Sequence, residues 1–306
     1  MSWPLGRGKD GGRPGPRAAA FLLCAALVAA SPGLAAAAAG DDASVARGAY
    51  IFHAAGCLAC HTDDKNKGAP LAGGRALTSP FGTFYSPNIT PDETHGIGRW
   101  SDEDFIRALR EGVAPDGRHY YPAFPYTSYT GMSERDMRDL KAYLFSRATS
   151  DTPNKPHDLG FPFQFRFLLW PWKLLFFSEG RRVEDAAEDS QWNRGAYLVE
   201  NLGHCGECHT PRNFLGGLKH SRAMAGNPSG PDGKKVPNIT PDKEGGIGAW
   251  SESDLTYFLK TGFLPDGDFA GGAMTEVIEN SSSHLSDEDR GAIAKYLLSL
   301  PAFAGP

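Results

Sequence analysis

The pentapeptide Cys57-Leu58-Ala59-Cys60-His61 constrains this chain more than any other stretch, and Cys205-Gly206-Glu207-Cys208-His209 repeats its pattern. C-x-x-C-H is the attachment signature of c-type haem. Two thiols on one helical turn form thioethers with the porphyrin, and the histidine that follows ligates the iron. We therefore predict two covalently bound haem c groups, each held by two cysteines and one histidine: Cys57, Cys60 and His61, then Cys205, Cys208 and His209.

Two other kinds of site use paired cysteines. A structural zinc ion takes four ligands, usually from two pairs of residues close in sequence, whereas these two motifs lie far apart. A thioredoxin-like redox dithiol has no need of the histidine after the second cysteine. Covalent haem accounts for both motifs and for both histidines.

The N-terminus resembles a secretory signal. Its basic residues precede an apolar run over residues 18–30, and small residues at 35–39 offer cleavage sites. An uncleaved anchor helix is the alternative, but Pro32 and Gly33 interrupt the run before it reaches the length of a membrane span. We expect residues 1–39 to be a signal peptide and the protein to be periplasmic. Cys24 would leave with the leader, so no cysteine would remain for disulfides.

The charge of the chain disfavours nucleic acid as a partner. Its formal net charge is −5, and removal of residues 1–39 leaves −8. An acidic surface suits docking to a basic patch on another protein.

The sequence contains an internal duplication. Residues 87–101 and 237–251 match at 11 of 15 positions at an offset of 150 residues. Both segments begin with Pro-Asn-Ile-Thr-Pro-Asp, and Arg-Gly-Ala-Tyr precedes each haem motif, at 47–50 and at 194–197. An internal repeat of this length indicates a duplicated domain. We predict a first domain over 40–149, a linker over 150–189 and a second domain over 190–306.

Each copy carries the same helix starts. Ser-x-x-Asp occurs at Ser101, Ser133, Ser251 and Ser286, each followed by apolar residues at helical spacing. Helices near 43–54 and 192–202 are expected to lead into the haem motifs. This pattern predicts an all-α fold with three main helices per domain. We expect the Pro-Asn-Ile-Thr-Pro-Asp segments to be loops over the haem edge, with Asn and Thr bonded to a propionate or to local backbone.

The linker has a strongly aromatic middle, over residues 161–177. Prolines and two basic residues in it argue against a membrane span. We favour packing along both domains over contact with a membrane surface or a partner.

The second axial ligand of each iron is harder to assign. Methionine there suits reversible one-electron transfer, whereas an open position allows peroxide or oxygen chemistry. In the second copy we choose Met274, in a Gly-rich stretch before the last helix, over Met224. In the first copy we choose Met132, although it could simply pack on Met137, with His119 or an open site as alternatives. Pro70 is our candidate to supply a carbonyl to His61.

With these motifs in place, and with Tyr121-Pro122-Ala123-Phe124-Pro125-Tyr126 between them, the chain resembles a known family. It resembles a diheme c-type cytochrome similar to the cytochrome c subunits of bacterial membrane-bound alcohol, gluconate and aldehyde dehydrogenases. Those subunits commonly carry three haems, whereas this chain has two motifs. They often have methionine in the Y-P-A-M-P-Y run, where this sequence has Phe124.

The resemblance implies two tandem class I cytochrome c domains with His/Met-ligated iron. It also implies electron flow from a periplasmic or membrane-bound dehydrogenase to a quinone, a cytochrome or a terminal oxidase. We therefore expect a carrier and not an enzyme, in the periplasm and associated with the membrane through a partner or a peripheral contact. The alternative is a diheme enzyme, such as a cytochrome c peroxidase or a thiosulfate-oxidising protein. A haem-based sensor is a third hypothesis.

Overall fold

The computed structural model describes residues 32–305, so most of the predicted leader, with Cys24, lies outside the described residues. The described chain is mainly helical, and equivalent helices recur in its two halves. We call residues 42–149 the first repeat and residues 190–305 the second repeat. Within residues 32–305, no helix combines the length and the apolar character needed to cross a bilayer.

The first repeat contains five helices and two short strands. A long helix leads into the one-turn helix of the first C-x-x-C-H motif, and two strands and three more helices follow. In chain order these are α1 (Pro32–Ala54), α2 (Cys57–His61), β1 (Ala76–Ser79), β2 (Gly82–Tyr85), α3 (Asp102–Glu111), α4 (Tyr126–Tyr129) and α5 (Glu134–Phe145). The predicted helix near 43–54 thus begins earlier, with Pro32 at its first position.

The linker contributes strand β3 (Asp158–Leu159) and helix α6 (Leu169–Phe176). Strand β3 pairs antiparallel with β2, Gly82 opposite Leu159, and completes a sheet of order β1-β2-β3. The sequence analysis missed this small sheet because Thr78, Phe84 and Tyr85 lie in strands too short to show an alternating pattern.

The second repeat has the same helix order without the strands. It contains α7 (Ser190–Tyr197), which continues into a π-helical turn (Leu198–Leu202), then α8 (Gly206–His209), α9 (Glu252–Thr261), α10 (Ala273–Asn280) and α11 (Asp287–Ser299). Helices α1, α3 and α5 correspond to α7, α9 and α11.

All four predicted serine caps are confirmed. Each serine oxygen accepts a hydrogen bond from the backbone N–H three residues on, at 3.0–3.1 Å. At Ser101 and Ser251 the serine N–H in turn donates to the side chain of the aspartate three residues on, which completes a capping box. These local bonds satisfy the free N–H groups of the first turn and set where each helix begins.

The first and last helices of each repeat cross at a glycine. A Cβ on Gly48 of α1 would lie 1.9 Å from the carbonyl oxygen of Asp139 in α5, and one on Gly195 of α7 would lie 2.0 Å from that of Ala292 in α11. Only glycine permits such close backbone approach. The crossing fixes the helix that leads into each C-x-x-C-H motif against the last helix of its repeat.

The apolar core runs through both repeats without a break. It includes Phe105 and Leu140 of the first repeat and Leu202, Leu255 and Ile293 of the second, all buried. Burial of apolar side chains on this scale is the main favourable contribution to folding. The two repeats are therefore packed against each other.

Candidate haem-binding site

The two C-x-x-C-H motifs form single helical turns at corresponding places in the two repeats. Helix α2 follows Gly56, whose positive φ of 62° turns the chain out of α1, and α8 follows His204, at a φ of 38°. Burial raises the pKa of Cys57 and of Cys205 to about 12, so both thiols are neutral at pH 7. A reactive redox dithiol needs a lowered thiol pKa, so the environment does not suit that alternative.

The two histidines have identical hydrogen bonds. His61 donates from Nδ1 to the carbonyl oxygen of Pro87 at 2.8 Å, and His209 donates from Nδ1 to that of Pro237, also at 2.8 Å. A carbonyl can only accept, so the proton is on Nδ1 and the lone pair is on Nε2. Burial lowers the pKa of both rings, which favours the neutral form that ligates a metal.

This geometry fits a covalently held haem. Neutral thiols on one helical turn and an imidazole fixed through Nδ1 are what such a group requires of its protein. Among residues 32–305 there is no cluster of three or more His, Cys, Asp or Glu side chains that could hold a metal ion by itself.

Pro70 was the wrong candidate for the acceptor of the His61 proton. The acceptor is the carbonyl of Pro87, the first residue of the Pro-Asn-Ile-Thr-Pro-Asp segment, and its repeat Pro237 serves His209. This assignment explains why the segment occurs in both halves. It also supplies the acceptor for His209 that the sequence analysis left unnamed.

An asparagine holds each of these loops in place. The side chain of Asn88 donates to the carbonyls of Ser150 and Thr152 at 2.8 and 3.1 Å, and it accepts from Thr90 N–H and Oγ1 at 2.9 and 2.7 Å. In the second repeat, Asn238 donates to Phe303 O at 2.6 Å and accepts the same pair of bonds from Thr240. The bonds from Thr90 N–H and Thr240 N–H are to local backbone, as one of the two alternatives predicted, whereas the amide groups of both asparagines bond carbonyls that are distant in sequence.

Glycine lets the loop approach the attachment turn. The N–H of Gly73 donates to the carbonyl of His61 at 2.8 Å, and a Cβ at this position would lie 2.4 Å from the carbonyl carbon of Pro87. Gly226 makes the equivalent bond to His209 O at 2.8 Å. The positive φ of 74° at Gly73 is a second reason for glycine there.

The candidate second axial ligands, Met132 and Met274, occupy two different positions of the repeat. Tyr120 N–H bonds Gly112 O and Ala270 N–H bonds Gly262 O, at 2.9 and 2.8 Å, which fixes the register of this segment at the repeat offset. In that register Met274 stands where the first repeat has Phe124.

The second position directly precedes the cap of the last helix. It holds Met132, 0% exposed, in the first repeat and Leu285, 6% exposed, in the second. The first repeat therefore has an apolar residue at the first position and methionine at the second, whereas the second repeat has methionine at the first position and an apolar residue at the second. Met274 is half-buried, in the first turn of α10 rather than in a loop.

The other candidate ligands have different surroundings. Met137 is buried in α5, with its sulfur 3.9 Å from an Arg110 nitrogen. Met224 has a φ of 62°, and its N–H donates to Thr210 Oγ1 as the N–H of Leu71 donates to Thr62 Oγ1. Its buried side chain lies against Gly206 of α8. His119 lies under the linker, where its carbonyl accepts from Arg166.

Each attachment turn is contacted by the other repeat. Glu207, between the second pair of cysteines, accepts from Thr127 Oγ1 of the first repeat at 2.6 Å and pairs with Arg212 at 2.5 Å. Arg75 donates to Ala59 O in α2 at 2.6 Å and pairs with Glu276 in α10, also at 2.6 Å. The two C-x-x-C-H turns therefore lie at the boundary between the repeats.

Comparison with known proteins gives consistent results. The cytochrome c family model matches residues 45–148. A diheme cytochrome c-type protein of Cereibacter sphaeroides is 49% identical over 269 residues, which are 86% of this chain and 88% of that protein.

The chain is also similar to cytochrome subunits of dehydrogenases. The fructose dehydrogenase cytochrome subunit of Gluconobacter japonicus is 44% identical over 93% of the chain, and the gluconate 2-dehydrogenase cytochrome c subunit of Pantoea cypripedii is 44% identical over 86%. The chain spans 58% and 60% of the length of these two relatives.

Proposed function

Because the chain belongs to the cytochrome c family and is similar over most of its length to a diheme member, we propose that it is an electron carrier with two haem c groups. Each group belongs to one of two tandem class I cytochrome c domains joined by the aromatic linker. The observation that carries this proposal is the equivalence of the two attachment turns, each with a histidine Nδ1 donating to a proline carbonyl at 2.8 Å.

The residues divide into three roles. The thiols of each motif would hold the porphyrin, and the Nε2 atoms of His61 and His209 would ligate iron on one side. Met132 and Met274 would ligate it on the other. A bound haem c supplies reversible one-electron transfer between ferric and ferrous iron. By accepting the Nδ1 proton, the carbonyls of Pro87 and Pro237 leave the Nε2 lone pair of each imidazole free, so that His61 and His209 would be able to ligate the haem iron.

The relatives support a dehydrogenase as the electron donor. Two of them are cytochrome subunits of a fructose and a gluconate dehydrogenase, so we propose a periplasmic or membrane-bound dehydrogenase as electron donor. A quinone, a cytochrome or a terminal oxidase would accept the electrons. The predicted signal peptide supports a periplasmic location. The linker contacts both repeats, through Lys173 and Trp172, but its exposed side chains, such as Phe161 and Phe167, also support a peripheral membrane contact.

The test of the two-haem proposal is a count of covalent haem. The protein is produced in a host with a c-type haem attachment system, and haem stain and intact mass are measured under denaturing conditions. We expect two haems per chain. The double variants Cys57→Ser/Cys60→Ser and Cys205→Ser/Cys208→Ser should each carry one, so they serve as controls for each other. A single haem in the unaltered chain would contradict the proposal.

The carrier role is tested with the same preparation. Both haems should be reduced by a purified dehydrogenase and reoxidised by an acceptor, with optical spectra typical of low-spin iron in both oxidation states. Rapid turnover of hydrogen peroxide, together with a high-spin signal from one haem, would support the diheme peroxidase instead.

A further inference from the structure

The linker exposes a continuous apolar surface. The side chains of six large apolar residues point outward between residues 161 and 175, with exposed fractions from 43% to 81%. We call these residues the apolar linker face: Phe161, Phe165, Phe167, Trp170, Leu174 and Leu175. Neighbouring rings touch along it, since the Phe161 and Phe165 centroids lie 6.0 Å apart and those of Phe165 and Phe167 lie 5.8 Å apart. Soluble monomers rarely expose contiguous surfaces of this kind.

Helix α6 buries its only charged side chain and exposes several of its apolar ones. The side chain of Lys173 is buried and donates to the carbonyls of Glu111 and Gly112 at the end of α3, at 2.5 and 2.9 Å. Trp170, Leu174 and Leu175, on the other side of the helix, are 60–69% exposed. A surface helix of a soluble protein normally turns its charged side to solvent and its apolar side to the core.

The second cation of the segment also faces the protein. Arg166 donates to the carbonyl of His119 at 2.9 Å, and its guanidinium lies 4.6 Å from the centre of the Tyr121 ring. The sequence from Leu159 to Phe177 contains no Asp or Glu. The apolar linker face therefore presents no charge that a protein partner could pair with.

A loop of the second repeat extends this surface. Phe214 is 87% exposed, and the adjoining Leu215 accepts a 2.9 Å hydrogen bond from Nε1 of Trp172 in α6. Phe176 packs against the same loop, since a Cβ on Gly217 would lie 2.5 Å from its ring. Helix α6 thus connects the apolar linker face to Phe214, because it contacts the first repeat through Lys173 and the loop of the second repeat through Trp172.

We propose that the apolar linker face, together with Phe214, inserts into the interfacial layer of a phospholipid bilayer. This inference deepens the peripheral membrane contact of the proposed function and rests on it only for the compartment. Phenylalanine, tryptophan and leucine are the side chains that interfacial segments bury among lipid headgroups and the upper acyl chains. Protein interfaces surround an apolar centre with a polar rim. The segment from Leu159 to Phe177 has no acidic residue, and its two cations bond carbonyls of the protein, so it offers few charged groups for such a rim.

The charge distribution also specifies the lipid. The chain is acidic overall and both cations of the segment bond carbonyls of the protein, so the apolar linker face itself offers no free cation to anionic headgroups. Binding should therefore depend on apolar burial alone, with zwitterionic phosphatidylcholine as good a surface as anionic lipid. It should also change little with salt, because screening acts on charges and not on apolar contacts.

The experiment is flotation of the purified, haem-loaded protein with phosphatidylcholine vesicles at low and high salt. We expect the protein to float under both conditions. The variant Phe167→Ser/Trp170→Ser/Leu174→Ser should lose roughly tenfold or more of its vesicle affinity, since each side chain contributes apolar area. The matched control Val183→Ser/Tyr257→Ser/Phe269→Ser removes three apolar side chains exposed elsewhere, at 54–85%, and should float like the unaltered protein.

Haem content and far-UV circular dichroism are measured on every sample. A chain that lacks haem contradicts the proposed function whatever its flotation, whereas a chain with two haems that does not float contradicts the membrane inference alone. Flotation only with anionic vesicles, or its loss at high salt, would also overturn the inference. Failure to float combined with self-association that the linker variant abolishes would assign this surface to a second copy.

Discussion

The hydroxyl of Tyr50, in the first repeat, donates a 2.6 Å hydrogen bond to Asp289 in the second, and it accepts one from Ser286 N–H at 3.1 Å. In the opposite direction, the hydroxyl of Tyr197 in the second repeat donates to Asp136 in the first at 2.5 Å and accepts from Ser133 N–H at 3.1 Å. Each tyrosine belongs to the Arg-Gly-Ala-Tyr segment before a C-x-x-C-H motif. It binds the capped start of the last helix of the other repeat. The two repeats are thus joined by a symmetric pair of tyrosine contacts.

Removing both hydroxyls should weaken the contact between the repeats. In Tyr50→Phe/Tyr197→Phe, the partly buried aspartates and the serine N–H groups lose a partner, at a cost of about 1–3 kcal/mol per site. We expect a lower urea midpoint and slower electron exchange between the haems. Tyr257→Phe, at a ring that is 54% exposed, is the control and should unfold like the unaltered protein. An unchanged midpoint in the double variant would show that these bonds contribute nothing net.

The two methionine positions can be tested separately. Met132→Leu and Met274→Leu keep the side-chain volume nearly constant but remove the sulfur, so we expect each to lower the reduction potential of one haem. The weak long-wavelength absorption band of Met-ligated ferric haem should lose about half its intensity in each variant. Met137→Leu is the matched control, because Met137 is buried but packs against Arg110. Full retention of the band in Met132→Leu would exclude that residue as a ligand.

The asparagines should act on the haems through the histidines. Asn88→Ala removes the side chain that holds the loop carrying the Pro87 carbonyl, and a weaker bond to His61 Nδ1 makes the imidazole a poorer donor to ferric iron. We expect a higher reduction potential of the first haem and a loss of stability of about 1–3 kcal/mol. Asn238→Ala should do the same for the second haem alone. Potentiometric titration measures the reduction potentials of the two haems separately. A loss of stability with both potentials unchanged would mean that the asparagine is only structural.

Acid should loosen the linker through His157. Its ring packs on Phe84 and Tyr121, and Nδ1 accepts from Tyr85 N–H at 3.1 Å. Burial lowers the pKa of His157 to about 4, from an unperturbed value near 6.5. Between these pH values the unfolded chain binds a proton that the folded chain does not, so stability falls as the pH decreases from about 6.5 to 4.

The measurement is the free energy of unfolding at pH 7 and pH 4.5. Other buried histidines titrate in the same direction, so the comparison is with His157→Asn, whose side-chain oxygen can accept the Tyr85 bond without titrating. We expect the unaltered protein to lose about 1–3 kcal/mol more than this variant over the interval. Equal losses in the two proteins would refute the assignment to His157.

The sequence alone determined the features that depend on neighbours in the chain. The C-x-x-C-H turns, the serine caps and the internal repeat are patterns of residues at most a few positions apart, or one pattern copied twice. Their physical basis is local. Two thiols three residues apart lie on one helical turn, and a capping serine bonds the backbone N–H three residues on, so neither feature needs another part of the protein.

Only the tertiary structure decided which distant groups meet. Pro87 rather than Pro70 serves His61, and Tyr50 bonds Asp289 across the chain. The exchange of methionine and apolar residue between the two ligand positions appeared only once backbone bonds fixed the register. In the sequence, Lys173 and Arg166 served only to argue against a membrane span, and the structure shows that both side chains bond carbonyls of the protein. Contacts between residues far apart in sequence depend on how the helices pack, and no local pattern records that packing.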